Sequence, residues 1–246
     1  MEVHHHPHVE KKGIKEYFLE FVMIFLAVTL GFIAENIREN VSNHHRELNY
    51  MKGIVQDLKE DTTEMNNIWL KQHFLLNQID SALSIPVERL NNINTQDTFY
   101  HHYIYFFSLL SEFNPHDNTL TQLRNAGGFS LIRHEDVLDS IGELDLYYFN
   151  LLKSDNDYYN SYYLRVTDAG AKVIKCPPFI ININDEVKML HNTEVFSAYN
   201  ILLLQQLYSY INMEKGQLMQ CIDRQRGYLD KAVRLIKYIN KKYNLN

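Results

Sequence analysis

The chain has 246 residues, enough for one sizeable domain or two small ones. Its formal net charge of -6, from 24 Lys+Arg against 30 Asp+Glu, excludes a strongly basic nucleic-acid binder, and two Cys exclude a disulfide framework and a four-cysteine zinc site. Nine Gly and five Pro are few for such a length, so the composition is that of an all-α protein, and 46% hydrophobic residues supply a core.

His4, His5, His6 and His8 crowd the start of the chain. A cluster of neutral imidazoles binds Ni, Cu or Zn weakly. A solvated arm or a cloning remnant is the competing reading, and Pro7 inside the run departs from an ordinary purification tag.

The apolar stretch Tyr17 to Ala34, Y-F-L-E-F-V-M-I-F-L-A-V-T-L-G-F-I-A, follows. At about 1.5 Å per residue it makes roughly 27 Å of helix, close to the roughly 30 Å core of a bilayer. A buried core helix and a cleaved signal peptide compete with a retained anchor. Phe32 stands where a signal peptidase wants a small residue, which favours the anchor. The expected organisation is a His-rich tail over 1–16, a transmembrane helix over 17–35 and a helical bundle over 36–246. Lys11, Lys12 and Lys15 before the span outnumber Arg38 and Arg46 after it. That charge bias puts the N-terminus in the cytoplasm and the bundle on the periplasmic side of the inner membrane. Glu20 lies near the first edge, where it can snorkel to the interface. Ala27 and Gly31, spaced i, i+4, would let two such helices approach closely.

No Gly-Pro punctuation follows before Pro86, so the helix is expected to run from about 17 to 84. Its three-four seam reads Ile37, Val41, His44, Leu48, Met51, Val55, Leu58, Thr62, Met65, Trp69, Gln72, Leu76, Ile79 and Leu83. Only His44, Thr62 and Gln72 break it, Ile54, Ile68 and Leu75 form a second apolar row beside it, and Gly53 is its weak point. Ala27, Gly31, Leu48, Met51, Val55, Leu58, Met65 and Trp69 form the expected oligomer or packing face.

Pro86 ends this helix, and 87–95 reads as a loop. A buried helix over 96–112 stops at Asn114-Pro115. Thr119 caps a short helix, Leu120 to Ala126, that ends at Gly127. After a crossover that sends Leu131-Ile132 into the core, a helix from His134 to about Lys175 presents Val137, Ile141, Leu144, Tyr148, Leu151, Tyr158 and Tyr162, with a weakness at Asp168-Ala169-Gly170. Cys176-Pro177-Pro178 terminates it, and 179–184, short and strand-like, reads as an extended connection. Asn192 or Thr193 caps a last helix to Tyr243. Its expected seam is Ile201, Leu204, Tyr208, Ile211, Lys215, Leu218, Ile222, Gln225, Leu229, Ala232, Ile236, Ile239 and Tyr243.

The motifs of common catalysts are absent from the helical regions: Glu-x-x-His pairs, His-Glu-x-x-His, a phosphate-binding Gly-x-x-x-x-Gly-Lys loop and a Gly-x-Ser-x-Gly elbow. His44-His45 and His101-His102 are helical neighbours about 100° apart, which do not converge on one metal. His116-Asp117 sits in a turn, where capping is the expected role. Cys176 and Cys221 could pair in an extracytoplasmic domain. The Tyr pairs 147-148, 158-159 and 162-163 read as half-buried bundle residues.

Two segments carry a resemblance. The start, H-H-H-P-H-V-E-K-K-G-I-K-E-Y-F-L-E-F-V-M-I-F-L-A-V-T-L-G-F-I-A-E-N-I-R-E, resembles that of a large uncharacterised family of single-pass membrane proteins from Bacteroidota. The stretch T-L-T-Q-L-R-N-A-G-G-F-S-L-I-R-H-E-D-V-L-D-S-I resembles that family's middle motif of a Leu, a Gly and a Leu-Ile pair before a helix. The resemblance implies a native His-rich start and a retained anchor, and transfers no activity or catalytic residue.

The expectation is therefore an all-α protein, a transmembrane helix continuing into an antiparallel long-helix bundle with coiled-coil-like seams. It would be no enzyme and would use no cofactor, nucleic acid or small-molecule substrate. Its partners would be the lipid bilayer, a second copy or another protein, with the chain acting as scaffold or accessory subunit. A signal-relay module and a metal binder working through the His-rich tail are the alternatives.

Overall fold

A computed structural model describes residues 13–107, 113–175, 179–181, 187–189, 195–196 and 199–245. The chain forms two compact units, 1–50 and 51–246, and the division falls inside one helix. That helix, α1, is Ile14–Leu83. It starts where the Gly13 N–H donates to Glu16 Oε2 at 3.0 Å, which satisfies one of the amides that a helix start leaves unpaired. It ends just before Pro86, whose ring cannot continue it.

Among the described residues, four further helices and one very long one complete the second unit. Asn92 caps α2, Ile93–Tyr103, by accepting from Asn94 N, and a tight 3₁₀ stretch, Ile104–Phe107, follows directly. The expected loop 87–95 thus contains a 3₁₀ turn, Val87–Asn91, and the helix begins three residues earlier than expected. The short α3, Asn118–Asn125, is followed by Gly127 at φ 62°, the left-handed conformation that glycine adopts without strain, as its expected stop requires. α4, Glu135–Tyr147, and α5, Lys153–Ala171, are joined by a wide π turn, Tyr148–Leu152. α6 is Ile201–Tyr243, and Asn200 caps it by accepting from the N–H groups of Leu202 and Leu203. The expected caps Asn192 and Thr193 lie outside the described residues, and the expected start there is too early, since Phe196 stands in a β-bridge with Ile174 and the helix begins only after Asn200. The strand-like segment pairs after all: β1, Phe179–Ile181, runs antiparallel to β2, Val187–Met189. This hairpin is a minor addition to an all-α bundle.

Cross-helix bonds give the directions. Tyr228 meets Asp61, Lys215 meets Asp80, and Tyr208 meets the Ile85 carbonyl, so α6 runs antiparallel to α1. Asp155 meets Arg224, and Asp136 meets Lys242, so α4 and α5 are antiparallel to α6 as well. Phe99 of α2 is fully buried and stacks on Tyr103 and Tyr208, with ring centroids 5.8 and 5.4 Å apart. Each such buried aromatic contributes about 2–3 kcal/mol by removal from water. The expected weakness at Asp168-Ala169-Gly170 shows as the end of α5 at Ala171 rather than at the expected Lys175, and Gly170 is also a close contact. A Cβ there would stand 2.9 Å from Tyr103 Cζ, so the missing side chain lets α2 close on α5.

The seams need correction. Burial along residues 51–83 follows two heptad rows, Met51, Leu58, Met65, Gln72 and Ile79 and, three residues on, Ile54, Asp61, Ile68, Leu75 and Ala82. The first row is the expected one. The other row holds Ile54, Ile68 and Leu75, expected beside the seam; of the seam's own alternate positions only Val55 is buried, Thr62, Leu76 and Leu83 are half-buried and Trp69 is 43% exposed. Upstream, Ile37, Val41 and His44 are exposed. The same offset recurs on α6. There Leu204, Ile211, Leu218, Gln225, Ala232 and Ile239 are buried as expected, but their companions are Leu207, Glu214, Cys221, Tyr228 and Leu235. Tyr208, Lys215, Ile222 and Leu229, one position later, lie on the flank. At about 3.6 residues per turn, positions i+3 and i+4 straddle one line, and only packing chooses between them. On α4–α5 the reason is different. The π turn inserts a residue, which moves the buried phase from the expected Leu151 and Tyr158 to Leu152, Asp155 and Tyr159.

Candidate functional site

Three features stand out. The first lies in the first unit. Residues 17–34 of α1 point Phe18, Phe21, Ile24, Phe25, Leu30 and Phe32 outward, and none of the most apolar stretch is buried. Among the described residues this is the one helix long and apolar enough to cross a membrane. A contiguous exposed apolar surface of this length is unusual on a protein surrounded by water. Inside the band the Thr29 hydroxyl donates to the Phe25 carbonyl at 2.8 Å, so it presents no unsatisfied donor to hydrocarbon, and the other hydroxyl, on Tyr17, stands at the band's first residue. An exposed ion pair, Glu35 with Arg38, closes the band. Ala27 is exposed, and a Cβ on Gly31 would meet nothing within 4 Å, so the small-residue face is open within this chain.

The second feature docks the segment before α3 onto α1. Gly53, Asp57, Asp61 and Glu64 recur every turn along one face of α1. Asp57 Oδ2 accepts the Thr119 N–H at 2.9 Å, and Asp61 Oδ1 accepts both the His116 N–H at 2.7 Å and its Nδ1 at 2.9 Å. Tyr228 of α6 donates to Asp61 Oδ2 at 2.8 Å. Asp61 is only 1% exposed, and burial pushes its carboxyl up, against the pull of these three bonds. The Asp61 bond in turn raises the His116 imidazole, with help from Glu64 and Glu60 at 3.8 and 3.9 Å. The expected capping role of His116-Asp117 therefore falls differently. Asp117 occupies the cap position of α3 without bonding its backbone, and the acceptor for Thr119 comes from α1. Asp61, His116 and Tyr228 border a cavity of about 50 Å³ walled by Ile54, Leu58, Ile141 and Leu235. It has room for water, whereas pockets for organic ligands run to about 300 Å³ or more.

The third is a polar stripe between α5 and α6. Asp155, 1% exposed, accepts on Oδ1 from Arg224 at 2.7 Å, Gln220 at 3.1 Å and Gln217 at 3.3 Å. Cys221 is a buried free thiol pushed up to about 12, chiefly by burial. Cys176 lies outside the described residues, as do His4, His5, His6 and His8. Further along α6, Glu214 is completely buried.

Of the expected packing face, Met51, Val55, Leu58 and Met65 are buried in this chain's own core, Leu48 is half-buried and Trp69 is half-exposed with its ring 3.9 Å from that of His73. His101 and His102 do not converge, since His102 Nδ1 bonds Gln78 Oε1 at 2.7 Å while His101 turns outward to Tyr105. Tyr147 donates to the Arg224 carbonyl at 3.2 Å, and Tyr159 is buried, whereas Tyr158 is exposed. Sequence reasoning missed Asp61, Asp155 and Glu214. The available signal was a carboxylate standing in an otherwise apolar heptad row. Comparison with family models, with curated proteins and with solved structures finds no match to this chain.

Proposed function

We propose that this protein is a single-pass, membrane-anchored helical scaffold or accessory subunit that acts through protein contacts, including contacts with its own copies. The observation that carries this reading is the exposed apolar band of residues 17–34, which belongs to the same helix as the packed seam of residues 51–83. The bilayer is then the partner of the first unit, because lipid removes from water what the chain itself leaves uncovered. The charge bias across the band favours a cytoplasmic N-terminus and a periplasmic bundle in the inner membrane. Ala27 and Gly31 supply a face for close approach of a second anchor. The resemblance to the Bacteroidota membrane family accords with an anchor and adds no activity.

The test is fractionation of the full-length chain from its host, followed by cross-linking in native membranes. Retention in the membrane after alkaline carbonate washing is the expected result, and release into the wash refutes the anchor. Cross-links to itself or to one stoichiometric protein are expected next. A monomer without a partner counts against the scaffold.

The unbroken course of α1 through both regions favours one second reading, a signal-relay module in which the anchor transmits a shift or rotation. Insertion of a two-residue turn after Tyr50 would abolish a relay and leave a scaffold's cross-links in place.

A further inference from the structure

Glu214 is the most anomalous residue of the bundle. It occupies a heptad row of α6 between Leu207 and Cys221, and it is 0% exposed. Among the described residues no group stands in hydrogen-bond geometry to either carboxylate oxygen; the Tyr159 hydroxyl on the facing helix α5, itself without a partner in such geometry, is the polar group beside it. A bare carboxylate in such a place costs several kcal/mol, and a buried acid avoids that cost by keeping its proton.

Among the described residues none supplies Glu214 with a counter-charge. From α5 the facing group is Tyr159, with Tyr163 and Asp155 one turn to either side of it. On α6 itself Lys215 is held by Asp80 of α1 at 2.5 Å, and Arg224 is held by Asp155 at 2.7 Å. Cys221 stays a neutral thiol. From α2, Tyr100 and Tyr103 belong to the same core, and the Tyr103 hydroxyl donates to the Val166 carbonyl. Ile211, Leu218 and Tyr159 belong to the dry core in which Glu214 stands.

We propose that Glu214 is an interior proton-binding site whose protonated form holds α5 against α6, so that loss of this proton loosens the α5–α6 contact. Burial sets its titration near neutrality, at about 7, with the nearby Tyr159 hydroxyl partly offsetting the shift. A folded-state value above the ordinary 4.5 means that the closed bundle binds this proton more tightly than the opened one. The contact is therefore strongest at mildly acid pH and weakens as pH rises toward 7 and above. This inference does not depend on the membrane reading.

The experiment is an infrared pH titration of the full chain in lipid nanodiscs, paired with hydrogen exchange corrected for the intrinsic pH dependence. The expected result is a protonated-carboxyl band that is present at pH 6, titrates with a midpoint near 7 and is missing from Glu214→Gln. Opening of the amides of α5 and α6 should rise about ten-fold between pH 6 and pH 8 in the wild type and stay level in Glu214→Gln. A wild-type protein without the band at pH 6, or parallel exchange profiles for the two proteins, overturns the proposal. Should Glu214→Gln not fold, Tyr159→Phe serves in its place. Removing the hydroxyl that favours the charged form should move the band's midpoint upward, and an unmoved midpoint overturns the proposal equally.

Discussion

Gly53→Ala tests the docking of α3 on α1 by its sign. Gly53 lies within a continuous helix, where alanine in place of glycine stabilises by about 1 kcal/mol. Here, however, the new Cβ would stand 2.7 Å from both Cγ2 and Oγ1 of Thr119 and 3.3 Å from its Cβ. These atoms lie at the base of a short, branched side chain. The Thr119 N–H is also tied to Asp57 Oδ2 at 2.9 Å, so it cannot retreat without moving the start of α3. Overpacking of this kind costs about 1–3 kcal/mol. The net expectation is a loss of about 1 kcal/mol. In a Thr119→Ala background the two closest contacts vanish, and the same substitution should instead stabilise by about 0.5–1 kcal/mol. The coupling in the double-mutant cycle is then about 2 kcal/mol. Urea unfolding followed by fluorescence reads it directly, because the single Trp, Trp69, lies on α1 within the same unit. A stabilised Gly53→Ala in the otherwise wild-type chain, or a coupling under about 0.5 kcal/mol, would refute the docking of α3 on this face.

Stability should fall between pH 5 and pH 8. The folded forms of Glu214, Asp61 and His116 all hold their protons more tightly than usual, so each contribution is present at lower pH and lost as pH rises through the raised value. For Glu214, a carboxyl at about 7 rather than 4.5 corresponds to about 3 kcal/mol, seen as a falling urea midpoint; a rising one contradicts the assignment. Asp136 acts oppositely: Lys242 and Tyr238 hold its carboxyl down to about 2, so its contribution is lost on acidification below 3.8. Arg224→Met should destabilise by about 2–3 kcal/mol, since it leaves Asp155 buried with amide donors alone, and Asp155→Asn in the same chain should restore part of the loss. The Cys221 thiol should react with maleimide at least about 100-fold more slowly in the native protein than in urea, as read by peptide mass spectrometry, because it is buried and its thiolate is scarce.

The stops of α1 and α3 were legible because their signals are local, whereas the start of α6 after Asn200 was placed too early. Pro86 needs no partner to stop a helix, and Gly127 needs only a left-handed φ. The apolar band was legible too, since crossing hydrocarbon asks only for length and composition. The phase of the core was not. Two candidate rows ran side by side on α1 and again on α6, each interrupted by a polar residue (Asp61 or Thr62, Glu214 or Lys215), so composition alone could not choose between them. On α1 the buried row contains Asp61, and on α6 it contains Glu214, Cys221 and Tyr228. The π turn at Tyr148–Leu152 was equally silent, because a single extra residue leaves no mark in composition.

The misread rows and the candidate sites are the same residues, for one physical reason. A carboxylate is tolerated in a core only when something distant in sequence answers it or when it gives up its charge. Asp61 is answered from positions 55 and 167 residues further along the chain, by His116 and Tyr228. Asp155 is answered by Arg224, 69 residues on. Glu214 has no charged partner among the described residues and only the Tyr159 hydroxyl beside it, so the second route is the one left to it. Hydropathy along the chain carries none of these pairings, and a rule that rejects polar residues from a seam removes those with the most to do. A single test separates the two routes. Asp61→Leu must orphan the His116 N–H and the Tyr228 hydroxyl, and so should cost about 2–4 kcal/mol. Glu214→Leu orphans no hydrogen-bonded donor and keeps the row apolar, so it should be neutral or stabilising above pH 7. If urea unfolding at pH 8 ranks the two variants in the reverse order, the distinction between an answered and an unanswered carboxylate is wrong.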